Sequence, residues 1–340
     1  MSKEESVIIK GVAIILMLYL HLFSKANISE LCHPLLYINN TPLVYLLSRA
    51  ASPVAFFIIL SGYGFGYLYN AGRLSFFSQI NRLLKLYTTY WVILAIFVSI
   101  GCFIRPEMYP GNFGKIISNI TSWSCTYNYE TWFLFPYAAI SLTAYPIIKL
   151  ENKIGIYPSL VISFIISFSS NYITSRYIAV YHLYDTILAH ILTYFSFFFC
   201  FTLGAVLFRL SLKHEIRKRV LKENPMLVII LLSLLIFIRC LFASGVFHSI
   251  YVFVFIFLFL HLSLNNATKV LLTTLGKYSM PIWMTHSFFC YYLFPDFIYD
   301  FKYPIVIWMV LLTISLIVSI PIMKMSTYLY RLLQLREHRN

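Results

Sequence analysis

Apolar runs of close to twenty residues follow one another along the chain, and this pattern leaves the bilayer as its only suitable solvent. The runs lie near 7–24, 50–70, 86–104, 131–148, 156–174, 186–208, 225–243, 247–264, 279–294 and 304–323. Each approaches the ~20 residues that an α-helix needs to cross the hydrocarbon core. Backbone amides find no water there, so only helices and closed barrels can span it. A barrel needs alternating polarity, whereas these runs are continuous. Composition agrees: of 340 residues, 60% are hydrophobic and 11% charged, less than half of the ~25% charged share of soluble domains. A soluble globular enzyme is excluded. The expected fold is all-α, a single polytopic membrane domain over 1–340 with about ten transmembrane helices and a basic tail at 324–340.

The formal net charge of +14 raises the question of nucleic acid, and its placement answers it. With the first span starting in the cytoplasm, nineteen of the 26 basic residues fall in cytoplasmic connections and termini, and seven elsewhere. That bias predicts both termini in the cytoplasm. The run LKHEIRKRVLKEN (212–224) reads as a topology signal beside anionic lipid, and no nucleic-acid partner is expected. The first span carries Lys10 and His21 and no small-x-small cleavage pattern, so it is expected to stay in the mature protein.

Six cysteines at 32, 102, 125, 200, 240 and 290 show no CxxC and no histidine at metal spacing, and no metal is expected. Cys200, Cys240 and Cys290 read as packing residues. Cys32, Cys102 and Cys125 fall where a disulfide is chemically possible. The longest connections, about 25–49 and 105–130, are both expected outside, where contacts to an external substrate belong.

Ionisable groups inside spans are costly and therefore informative. Lys10 and His21 are eleven residues apart, about three helical turns, and share one face about 16 Å apart along the axis. In SRAASPVAFFIILSGYGFGYLY (48–70), Arg49 stands at the outer end, and Ser61, Gly62, Gly64 and Gly66 form a small-residue stretch that lets helices approach closely. Arg82 and Lys85, at i and i+3, point the same way just under the membrane, suited to phosphate or to lipid head groups. Trp132 sits at an outer boundary as an aromatic-belt residue. His286, His190, His261 and Arg239 are further intramembrane candidates. None of the twelve acids falls clearly in mid-span, which disfavours a proton-coupled carrier.

Six segments, in order, resemble the acyltransferase 3 family of integral membrane acyltransferases. In IKGVAIILMLYLHLF (9–23) a cation is followed by ten residues and a histidine. RAASPVAFFIILSGYGFG (49–66) is similar to the family's Arg-xxx-Pro-Val-xx-Phe-Phe-xx-Ser-Gly segment, and INRLLKLYTTYW (80–91) to its paired basic signature ending in Tyr-Trp. TWFLFPYAAISLTAYP (131–146), FFFCFTLGAVLFRL (197–210) and LGKYSMPIWMTHSFF (275–289) complete the set, with Trp283 in a place the family gives to Tyr. Lys10 and Lys85 stand where the family has Arg, keeping the charge without the planar fork.

The resemblance implies a bacterial cytoplasmic-membrane enzyme that moves acetyl from cytosolic acetyl-CoA to a hydroxyl of a surface glycan or its lipid-linked precursor. His21 would be the base that takes the hydroxyl proton, or alternatively a covalent acetyl carrier. Lys10, Arg82 and Lys85 would hold the CoA phosphates. Arg49, Ser61, Gly62, Trp132 and His286 would orient the acceptor or shape the site. Expected partners are the glycan acceptor and membrane lipid, while the oligomeric state stays open. A glycan or lipid exporter, and a non-catalytic partner of a polysaccharide synthase, fit the same hydropathy.

Overall fold

The computed structural model describes residues 1–212, 224–242 and 245–337. The basic run at 212–224 lies, apart from its two ends, outside the described residues, as does Arg339.

Each apolar run is helical. Helices cover Lys3–Phe23, Pro53–Asn70, Phe76–Ile104, Leu134–Ile154, Ile156–Ile173, Ile187–Ser196, Phe198–Leu212, Pro225–Leu241, His248–Phe259, Ser279–Ser287 and Pro304–Glu337. Among the described residues seven helical stretches are long and apolar enough to cross a membrane. Pro225–Leu241 and His248–Phe259 are apolar but shorter, and Ser279–Ser287 continues into a π-helical turn, Phe288–Tyr292.

Two helices outrun their apolar runs the furthest. Phe76–Ile104 begins well before residue 86, and Pro304–Glu337 continues well past 323. Lys, Arg, Gln and Leu are good helix formers, so the hydrogen-bond ladder persists where hydropathy falls. Arg82, Lys85, Lys324 and Arg331 therefore stand on helices. The second span opens at Pro53, where a proline costs no hydrogen bond and its φ is already helical. Between the first two spans, Tyr37–Ile38 pairs antiparallel with Thr41–Pro42. Asn39 and Asn40 make the turn at φ 47° and 61°, a left-handed conformation that asparagine tolerates and a two-residue hairpin requires.

The chain forms two compact units. In the first, residues 1–9, 52–80 and 134–269, the Pro53–Asn70 and Phe198–Leu212 helices meet backbone to backbone. A Cβ on Gly62 would lie 2.1 Å from the Phe201 carbonyl oxygen, and one on Gly204 would lie 2.0 Å from that of Ile59. Gly64 faces open space. The same unit buries Glu151, whose carboxylate accepts from Thr202 Oγ1 at 2.6 Å and from Arg209 at 3.3 Å.

The second unit comprises residues 10–51, 81–133 and 270 onward. In it the first helix packs through Gly11 against the Leu272 backbone. Tyr19 donates to the Val44 carbonyl at 3.1 Å and meets Trp308 edge to face at 6.3 Å. Tyr299 donates to the Leu22 carbonyl at 3.0 Å, and Phe97 stacks on Phe288 at 4.5 Å. All six cysteines are free.

The glycine contacts predict a graded result. Gly62→Ala and Gly204→Ala should each destabilise the protein by about 2 kcal/mol or more through overpacking, seen as a lower Tm in detergent and a smaller yield. Gly64→Ala should match the parent. Equal melting of all three variants would contradict the close approach.

Candidate functional site

The 105–130 connection is ordered by its own polar groups. Asn112 caps the Phe113–Ile120 helix by accepting from the Lys115 amide at 2.8 Å. Asn119, buried, donates to Lys115 O and Thr126 Oγ1, both at 2.8 Å, and accepts from the Tyr127 amide at 2.9 Å. Tyr90 reaches the Asn119 carbonyl at 2.8 Å, and Trp91 reaches that of Ile120 at 2.9 Å. The connection is thereby tied to the helix that precedes it.

Its last residues are tied to a second helix. Asn128, buried, donates to the Met284 carbonyl at 2.8 Å, and its Oδ1 accepts from Ser287 Oγ at 2.7 Å and the Glu130 amide at 3.2 Å. Trp283 Nε1 donates to the Glu130 carbonyl at 2.9 Å, and the Tyr129 amide donates to Tyr292 Oη at 2.9 Å. The π-helical turn Phe288–Tyr292, a distortion common at functional sites, carries both Tyr291 and Tyr292.

This scaffold holds Glu130 beside His21. The imidazole Nδ1 is 3.3 Å from Glu130 Oε2 and 3.4 Å from Tyr291 Oη. Tyr291 gives its own proton to the His21 carbonyl oxygen, so its Oη can only accept. Two acceptors thus face Nδ1, which assigns the ring proton there and leaves the Nε2 lone pair available. His286 lies beside it, with ring centroids 4.9 Å apart. His286 is buried, and its Nδ1 is 2.7 Å from the Trp283 carbonyl, so Nδ1 donates. Its Nε2 meets no hydrogen-bond partner among the described residues.

Lys25, one turn beyond His21, places its ammonium 4.5 Å above the Tyr291 ring and 4.7 Å from the Tyr299 ring. Burial against these rings lowers its pKa from the ordinary lysine value. The arrangement offers a base nitrogen, a carboxylate that fixes its orientation, a second imidazole and a nearby cation. Among the described residues no group of three His, Cys, Asp or Glu side chains is placed to hold a metal ion.

The sequence candidates fall in several places. Lys10 and His21 share the unbroken Lys3–Phe23 helix, and His286 joins His21. Arg82 and Lys85 are exposed on the Phe76–Ile104 helix. Arg49 ends the Leu43–Ser48 helix with its guanidinium 5.3 Å from the Tyr45 ring. Trp132 is partly exposed at the start of its span, 6.2 Å from Phe133. Ser61 and Gly62 belong to the first compact unit, where Ser61 Oγ donates to the Phe57 carbonyl at 2.7 Å and Gly62 makes the helix contact described above. Glu130, Lys25, Asn128 and Tyr291 were not singled out from the sequence. The signal available for Glu130 was a lone acid at the mouth of an apolar span.

A family model described as an acyltransferase domain, acyltransferase 3, matches residues 7–324. No curated protein and no solved structure matches the chain.

Asn128→Ala should strand the buried Met284 carbonyl and free the backbone of Glu130, costing about 1–3 kcal/mol. A Tm shift of several degrees in detergent checks this, with a smaller shift for Ser287→Ala. An unchanged Tm for Asn128→Ala would contradict the anchoring role.

Proposed function

Because the chain belongs to the acyltransferase 3 family and is a membrane acyltransferase, we propose that it transfers acetyl from cytosolic acetyl-CoA to a hydroxyl of a surface polysaccharide or its lipid-linked precursor. The observation that carries this reading is the His21–Glu130 pair, 3.3 Å apart, with Tyr291 completing the acceptors at Nδ1. Acyl transfer to a hydroxyl needs a base that can reach the proton and a geometry that keeps it aimed.

In this proposal His21 Nε2 takes the proton as the acceptor oxygen attacks the thioester carbonyl carbon. The Glu130 carboxylate holds the ring and stabilises the imidazolium that forms, the role a carboxylate plays behind any histidine base. When the C–S bond breaks, the proton passes from His21 to the departing sulfur, and the base is restored. His286 Nε2 supplies a further acceptor next to the reacting groups. Lys25 and Arg49 lie towards the His21 end of the first helix, where the acceptor would arrive. Lys10, Arg82 and Lys85 lie towards the other end and attract the CoA phosphates. The excess of basic residues on one side supports cytoplasmic termini in a bacterial plasma membrane.

Purified protein in vesicles, given isotope-labelled acetyl-CoA and membrane glycan, tests the reading by mass spectrometry of the glycan. His21→Ala should abolish transfer while leaving the protein inserted. Glu130→Gln should lower kcat by roughly 10²-fold or more with KM little changed. Wild-type rates in either variant would overturn the assignment. Arg82→Glu and Lys85→Glu should each raise the KM for acetyl-CoA more than that for glycan, and the opposite order would remove their donor role.

A further inference from the structure

At the end of the second unit opposite His21, a groove of about 280 Å³ opens between the last helix and the residues that start the Ser279–Ser287 helix. Ile320 and Met323 form its apolar floor, Tyr278 and Tyr328 supply rings, and Lys324 and Arg331 supply charge. Among the described residues, no carboxylate lines it. Lys324 and Arg331 are seven residues apart on one continuous helix, so they leave the same face about 10 Å apart along the axis. Both are exposed and available to a ligand. The helix is held in place here: Tyr330 donates to the Asn81 carbonyl at 3.3 Å and accepts from Gln334 Nε2 at 2.7 Å. The next residue along from Asn81 is Arg82.

We propose that this groove takes a phosphorylated ligand, the nucleotide end of the acyl donor; the inference rests on the function proposed above. Lys and Arg side chains bind phosphate through charge-assisted hydrogen bonds, and a purine stacks on aromatic faces such as those of Tyr278 and Tyr328. Two cations about two turns apart, with rings between them, match a nucleotide that carries phosphates on both sides of its ribose. A lipid head group has no base for the rings. The volume lies just below the ~300–1,000 Å³ of whole small-molecule sites, so the groove holds the nucleotide and leaves the pantetheine arm outside it. From Tyr278 to His286 is eight residues, about 12 Å along a helix, and the His286 ring is 4.9 Å from that of His21. An extended pantetheine arm covers that distance, so a nucleotide in the groove puts the thioester at the imidazoles.

The test measures acetyl-CoA binding calorimetrically to the full chain in phosphatidylcholine nanodiscs. Lys324→Glu/Arg331→Glu should weaken binding roughly ten- to a hundredfold, and Lys324→Gln/Arg331→Gln should do so less, with Tm held near the parent value in both. Wild type should also bind acetyl-dephospho-CoA more weakly than acetyl-CoA, and the charge-reversed variant should lose that discrimination. Unchanged acetyl-CoA affinity in both double variants would overturn the groove while leaving the proposed function standing. A wild type that binds no acetyl-CoA at all would overturn that function as well. Native mass spectrometry after addition of phosphatidylglycerol supplies the remaining arm. Variants that lose bound phosphatidylglycerol but keep their acetyl-CoA affinity would assign the groove to a lipid phosphate and overturn the nucleotide assignment.

Discussion

A carboxylate stays next to an imidazole in an apolar bundle only when its backbone has nowhere else to go. In this protein Asn128 supplies that constraint. Its amide joins the Met284 carbonyl, the Ser287 hydroxyl and the Glu130 amide, so the turn that carries Glu130 is fastened to the helix that carries His286. Trp283 adds a second tie through the Glu130 carbonyl. A buried polar network of this kind is worth having only when its members are satisfied, and here satisfaction of the network fixes the position of the acid. The position of Glu130 then fixes which nitrogen of His21 carries the proton. The chemistry proposed for His21 depends on that chain of contacts more than on any property of the histidine alone.

The second compact unit has a polar feature at each end of its helices. Towards one end lie His21, Glu130, His286 and Lys25; towards the other lie Lys10, Arg82, the Tyr278 groove and the basic face of the last helix. Between them the first helix is apolar apart from residues that face its neighbours. The proposed function, which joins a charged, water-soluble donor to an acceptor on the other side of a membrane, would use this separation, because two such substrates never share an aqueous phase.

The membrane helices were legible in the sequence because hydrocarbon thickness sets a length and backbone hydrogen bonding sets the conformation. Hydropathy says where a helix leaves the apolar phase and is silent on where it ends. Phe76–Ile104 and Pro304–Glu337 therefore extend beyond their apolar runs, and the groove at Lys324 and Arg331 went unseen. Lys10 and His21 were legible as a pair because both lie on one helix and its period relates them. Glu130 was not, because a contact 109 positions from His21 follows from how a connection folds, and no period links the two. His286 was legible as a costly residue in a span. Its nearness to His21 depends on tertiary packing alone.

The proposed chemistry depends on which ring nitrogen of His21 carries the proton. Solid-state NMR of the full chain in bilayers, with ¹⁵N-labelled histidine and His21→Gln to assign the signal, reads directly which ring nitrogen carries it. The His21 signal should show hydrogen on Nδ1 and a bare Nε2, converting to a mixture of tautomers in Glu130→Gln. A His21 ring protonated at Nε2 with a bare Nδ1, unchanged by Glu130→Gln, would contradict the proposed chemistry.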